Sequence, residues 1–143
     1  MYYHFAGKTG VDYNVADLIE KALVKVPTFA GVKFTGWDLG TAIEANRQYG
    51  NKVMIGYGKD EQVMASYFMG LKCSVGSTYN WAGKIWNEAI QGKSKSICKH
   101  LISNCSAMKS GDNAGSAKKQ EFMTQVLRVI FQFGYNDAVN KVV

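Results

Sequence analysis

One ionisable residue interrupts an apolar run: Lys33, in Ala30-Gly31-Val32-Lys33-Phe34-Thr35. Side chains alternate along a strand, so Val32 and Phe34 share one face and Gly31, Lys33 and Thr35 the other. On the inward face of a barrel the amine is desolvated, and burial can lower a lysine pKa to about 5–6 from a free value near 10.4. A neutral amine is a nucleophile that forms an imine with a ketone or aldehyde. Spacing alone leaves open an ordinary strand-edge lysine snorkelling to water. Asp60 and Glu61 form a second group. Adjacent carboxylates suit hydroxyl donors, and unaided they suit equally a helix cap followed by a first-turn acid. Three cysteines (Cys73, Cys98, Cys105) without a C-x-x-C pair, and only His4 and His100 beside them, give no disulfide framework and no metal site.

These residues need elements to position them. Residues 2–6 (YYHFA) predict a strand. Asn14 caps a predicted helix with Val15, Leu18, Ile19, Ala22, Leu23 and Val26 on one face, and Pro27 ends it. Strand is predicted again at 30–35, 52–57 and 71–76, with helix at 38–48, from Asp60 through Met69, and from 83 to 90. Short connections between alternating strands and helices imply parallel pairing and right-handed crossovers, an α/β fold. The alternation then stops. Residues 92–117 are rich in glycine, serine, asparagine and lysine, and a helix resumes at 118–132 with Phe122, Val126, Val129, Ile130 and Phe133 along one side.

The chain's 143 residues suffice for one domain with a real core, at 47% apolar and 20% charged. Its net charge of +6 is local: six lysines against one acid, Asp112, fall in residues 92–119. That distribution reads as a solvated basic loop, so no nucleic-acid partner is expected. No apolar run reaches membrane-span length and no secretory signal is visible, so a soluble, cytoplasmic protein without a membrane partner is expected. Four β/α units are half of a (β/α)8 barrel and leave two open sheet edges. A strand beginning one residue after Met1 is the pattern expected where a front half is missing.

Four segments share an order and spacing: Tyr2-Tyr3-His4, Gly31-Val32-Lys33-Phe34-Thr35, Gly58-Lys59-Asp60-Glu61-Gln62 and Gly76-Ser77-Thr78-Tyr79-Asn80. Together they resemble the C-terminal half of the N-acetylneuraminate lyase family, in the class I pyruvate-dependent aldolase superfamily that also contains dihydrodipicolinate synthase. The resemblance runs from about Tyr2 to Gln91 and resumes near Ala107. It implies a partial (β/α)8 TIM barrel followed by a helical tail: 1–91 the barrel half, 92–106 an insertion or loop, 107–143 the C-terminal helical segment. The full-length family form is commonly a homotetramer acting on small molecules, sialic acid and pyruvate.

By the same resemblance Lys33 aligns with the Schiff-base lysine that attacks the keto carbon, so no metal or organic cofactor is implied. Tyr3 aligns with the tyrosine that relays a proton near the substrate carboxylate. A phenol both donates and accepts, which serves a reversible aldol step, although taken alone Tyr3 is equally a packed strand aromatic. Thr35, Gly58, Asp60, Glu61 and Ser77 fall on positions that hold the polyhydroxylated part of the sugar. The Gly-Ser-Thr-Tyr-Asn segment best separates sialic acid lyases from their relatives.

The departures from the family pattern carry expectations too. Ala6 stands where proline is usual, Lys59 where an uncharged residue is usual, and Lys8 where dihydrodipicolinate synthases carry arginine. Lys8 keeps that synthase, or another pyruvate aldolase, as the alternative, beside a non-catalytic truncated product. Removing Gly92 to Ser106 joins Ala89-Ile90-Gln91 to Ala107-Met108-Lys109 as one continuous helix and turn. Gly92-Lys93-Ser94 can be encoded by GGTAAGTCN, which contains a splice-donor-like GTAAGT. A TCA codon for Ser106 supplies an in-frame acceptor, so a retained intron is the expected origin. With half a barrel lumen left wet, weak or no activity is expected of the chain alone.

Overall fold

The computed structural model describes residues 1–91 and 112–134. They divide into two compact units, Met1–Lys59 with Ala65–Val75, and Asp60–Met64 with the described residues from Gly76 onward.

The first unit is built on four parallel strands in the order β1 (Tyr2–His4), β2 (Gly31–Phe34), β3 (Met54–Tyr57) and β4 (Cys73–Ser74). Parallel neighbours need a crossover. Between β1 and β2 it is α1 (Ala6–Thr9), a single turn absent from the sequence reading, and α2 (Val15–Lys25); between β2 and β3 it is α3 (Leu39–Tyr49). Asn14 Oδ1 accepts the Ala16 and Asp17 N–H groups at 2.9 and 3.2 Å, as a helix N-cap should. The residue before Pro27 disfavours helical ψ, and Val26 is extended. Asp38 caps α3, accepting from the Gly40 N–H at 2.9 Å and the Thr41 hydroxyl at 2.6 Å.

Register separates the two sheet faces. Val32 pairs with Tyr2 and Ile55, and Phe34 with His4 and Tyr57. Val32, Phe34, Ile55 and Tyr57 are buried with Val15 and Ile19 of α2, Ala42 and Ala45 of α3, and Leu71. The other face carries the row Tyr3, Lys33, Gly56 and Cys73. Gly31, at φ +147°, could not be another residue, since a Cβ there would overlap the Met54 backbone of β3. The strand predicted at 71–76 shortens to Cys73–Ser74, followed by the Val75 N–H donating to the Tyr57 carbonyl at 2.8 Å. Among the described residues it is the edge strand and pairs only with β3.

Beyond β3 the chain forms a 3-10 turn, Asp60–Gln62, and then α4 (Val63–Phe68), rather than one helix from Asp60 through Met69. The second unit pairs α5 (Tyr79–Gln91), kinked at Ala82, with α6 (Asn113–Gln132). α6 starts five residues before the predicted point because Asp112 caps it, accepting the Gly115 N–H at 2.8 Å. Its buried side is Met123, Leu127 and Ile130, at i, i+4 and i+7, whereas Phe122, Val129 and Phe133 are exposed. The predicted apolar side is therefore about one residue out of phase, because Met123 and Leu127 pack inward. The Ser116 hydroxyl donates to the Ala89 carbonyl at 2.6 Å, tying α6 to α5. The expected insertion at 92–106 lies outside the described residues.

Candidate active site

Lys33 is half-buried on the sheet face opposite the core, and its register partner is Tyr3. Its Nζ stands 4.2 Å from the centroid of the Tyr3 ring, within cation–π range. Gly56, its partner on the other side, puts no side chain beside it. Tyr3 is 48% exposed, and its ring stacks on Phe5 at 5.5 Å. The amine and the phenol expected to act on one substrate are thus neighbours, set by pairing of adjacent parallel strands.

Thr35 follows β2 on the Lys33 side and is buried, with its N–H donating to the His4 carbonyl at 2.9 Å. Gly58 occupies the equivalent place after β3, its N–H donating to the Phe34 carbonyl at 2.7 Å. A Cβ on Gly58 would overlap Thr35 Oγ1, so the close approach of these two positions requires glycine. Thr35 Oγ1 is buried and makes no hydrogen bond among the described residues.

At the C-terminal ends of β1 and β2 lies a cleft of about 500 Å³, lined by His4, Asp12, Thr35, Trp37 and Lys59 among others. His4 is buried, stacks on Phe34 at 4.9 Å, and its Nε2 lies 3.0 Å from Asp12 Oδ1. A carboxylate only accepts, so Nε2 carries the proton. The sequence offers no sign of this pairing: the partner of His4 is eight residues on, and the turn after β1 brings the two together. Lys59 is 8% exposed with Nζ 3.6 Å from the Trp37 ring centroid, within cation–π range. Lys8, in α1, is exposed and sits 5.7 Å from the Phe5 ring.

In the second unit Asp60 is 6% exposed and opens the 3-10 turn. Its Oδ2 accepts the Thr78 N–H at 3.1 Å and the Thr78 hydroxyl at 2.6 Å, immediately before α5. The carboxylate lies so close to Gly76 that a Cβ there would overlap it. Ser77, half-buried, sits between these two contacts, and Glu61 is half-buried beside Asp60. The expected residues are therefore grouped as Tyr3, Lys33, Thr35 and Gly58 in one unit and Asp60, Glu61 and Ser77 in the other. Among the described residues no three His, Cys, Asp or Glu side chains are grouped to hold a metal ion.

Four parallel strands in sequence order, joined by helical crossovers, are the pattern of part of a (β/α)8 barrel. The chain belongs to the dihydrodipicolinate synthetase family, whose profile matches residues 1–142. It is similar to N-acetylneuraminate lyase of Homo sapiens, 39% identical over 93 residues that cover 63% of this chain and 28% of that protein. It is also similar to N-acetylneuraminate lyase of Gallus gallus, 30% identical over 99% of this chain and 42% of that protein. Among solved structures, N-acetylneuraminate lyase of Aliivibrio salmonicida superposes with a TM-score of 0.76 at 28% identity, over 94% of this chain and 40% of that one. That of Proteus mirabilis gives 0.75 at 26% identity, over 93% and 40%. The chain thus spans about two fifths of the length of those relatives it matches end to end.

Proposed function

We propose that this chain carries the imine-forming part of an N-acetylneuraminate lyase-type class I aldolase, which reversibly cleaves N-acetylneuraminate to N-acetylmannosamine and pyruvate. The observation that supports it most is the placement of Lys33 Nζ over the Tyr3 ring, on the face opposite the core. Lys33 Nζ adds to the keto carbon, and loss of water leaves a protonated imine. The Tyr3 phenol relays the proton of the hydroxyl on the carbon β to the imine carbon, taking it up as it gives its own proton to the substrate carboxylate. The electrons of the bond between the α and β carbons then flow into the imine, giving an aldehyde and an enamine. Protonation of the enamine and hydrolysis release pyruvate and restore the lysine. In this reading Thr35, Gly58, Asp60, Glu61 and Ser77 serve the hydroxylated portion of the sugar.

The test is pyruvate plus borohydride on the purified chain, with intact mass and peptide mapping. A reduced pyruvate adduct on Lys33, absent from Lys33→Arg, is the expected result. Labelling spread over surface lysines, and unchanged in Lys33→Arg, would overturn the reading. The dihydrodipicolinate synthase alternative rests on Lys8, which is exposed in α1 beside Phe5.

A further inference from the structure

The buried carboxylate of Asp60 belongs to a chain of hydrogen bonds whose direction is forced. Trp86 Nε1 lies 2.7 Å from Thr78 Oγ1, and that oxygen lies 2.6 Å from Asp60 Oδ2. An indole N–H can only donate and an ionised carboxylate can only accept. The single hydroxyl proton of Thr78 must therefore point at Asp60, while its lone pair receives the indole proton. Trp86 and Thr78 are fully buried, so water does not compete for either bond. The backbone is held from the other side. Gln120 of α6 donates from Nε2 to the Asp60 carbonyl at 3.1 Å, and its Oε1 accepts the Met64 N–H at 3.0 Å.

Stability alone does not call for this arrangement, because a buried polar network can often be replaced by apolar packing at little cost. What apolar packing cannot do is set the direction of a carboxylate. Asp60 in turn rests against Gly76 and holds the N–H of Thr78, the two neighbours of Ser77. We propose that Thr78 and Trp86 are positioning residues, which aim Asp60 and shape the Ser77 turn so that this part of the molecule binds the hydroxyl groups of a sugar. The proposal deepens the aldolase reading and rests on it for the class of ligand.

The experiment titrates N-acetylmannosamine into the full chain, by calorimetry and by the Trp86 indole resonance in NMR, for wild type, Thr78→Val and Thr78→Ser. Valine keeps the shape and removes both hydrogen bonds; serine restores the hydroxyl. The expected result is binding about tenfold weaker in Thr78→Val, the size of one buried charged hydrogen bond, and within about threefold of wild type in Thr78→Ser. Pyruvate labelling of Lys33 is expected to stay unchanged in both. If Thr78→Val does not fold, Trp86→Phe takes its place, keeping a ring and removing the donor. Wild-type affinity in the hydroxyl-free variant, an equal loss of pyruvate labelling, or no sugar binding by the wild type would each overturn the proposal. Sugar binding that depends on Thr78 without any Lys33 adduct would keep this inference and remove the aldolase reading.

Discussion

Lys33 and Tyr3 are one residue from the core at every step: each is flanked by side chains that face the helices, and alternation turns both to the opposite face. Their meeting is a property of register, since a shift by one would exchange Lys33 with Val32 or Phe34 and bury a charge. Gly58 shows the same dependence on a single atom. A methyl group there would overlap Thr35 Oγ1 and crowd the Phe34 carbonyl. Gly58→Ala is expected to lower stability by about 2 kcal/mol, the usual cost of overpacking. A denaturant midpoint equal to wild type would show that the strand ends yield freely.

The helices are shaped by their caps and by small residues that let them lie close to the sheet. α3 presents Ala42 and Ala45 inward and keeps its charges outward, where Glu44 meets Arg47 at 2.6 Å and also accepts from Gln48. The hydrogen bond from the Arg47 guanidinium is the largest cause holding the Glu44 carboxyl down to about 2. Its folded value lies below the ordinary one of 4.5, so the stability it contributes is complete above that value and lost as the pH falls toward 2. Arg47→Ala is expected to return the Glu44 midpoint toward the ordinary range. Side-chain carboxyl NMR across that window checks it, and an unmoved midpoint would mean that Gln48 suffices.

At the scale of the molecule, the two reacting groups keep access to water: Tyr3 is about half-exposed and Lys33 half-buried. Electrostatic and proton-transfer catalysis both gain strength where water is excluded. Cleavage of N-acetylneuraminate by this chain alone is therefore expected to be on the order of 10²-fold or more slower than by a full-length relative. A coupled pyruvate assay at saturating substrate measures this. Turnover equal to that of the relative would show that partial exposure of Lys33 and Tyr3 costs the reaction nothing.

What the sequence determined by itself was local and periodic. Alternation around Lys33 set which face would carry it, Asn14 and Pro27 bounded α2, and repeated strand and helix patterns implied a parallel α/β array. These features depend on neighbours within a turn or a strand, so nearby residue types suffice to state them. Tertiary structure decided the rest. Asp60 reads locally as a helix cap, and its carboxylate also reaches Thr78, 18 residues away, which is fixed in turn by Trp86. His4 finds Asp12 across a turn, and α6 buries Met123 and Leu127 where the apolar count favoured Phe122 and Val129. A polar group takes whichever partner packing leaves in reach, and a helix buries whichever side its neighbours cover. Neither choice is written in local spacing, because both are settled by contacts between residues far apart in the chain.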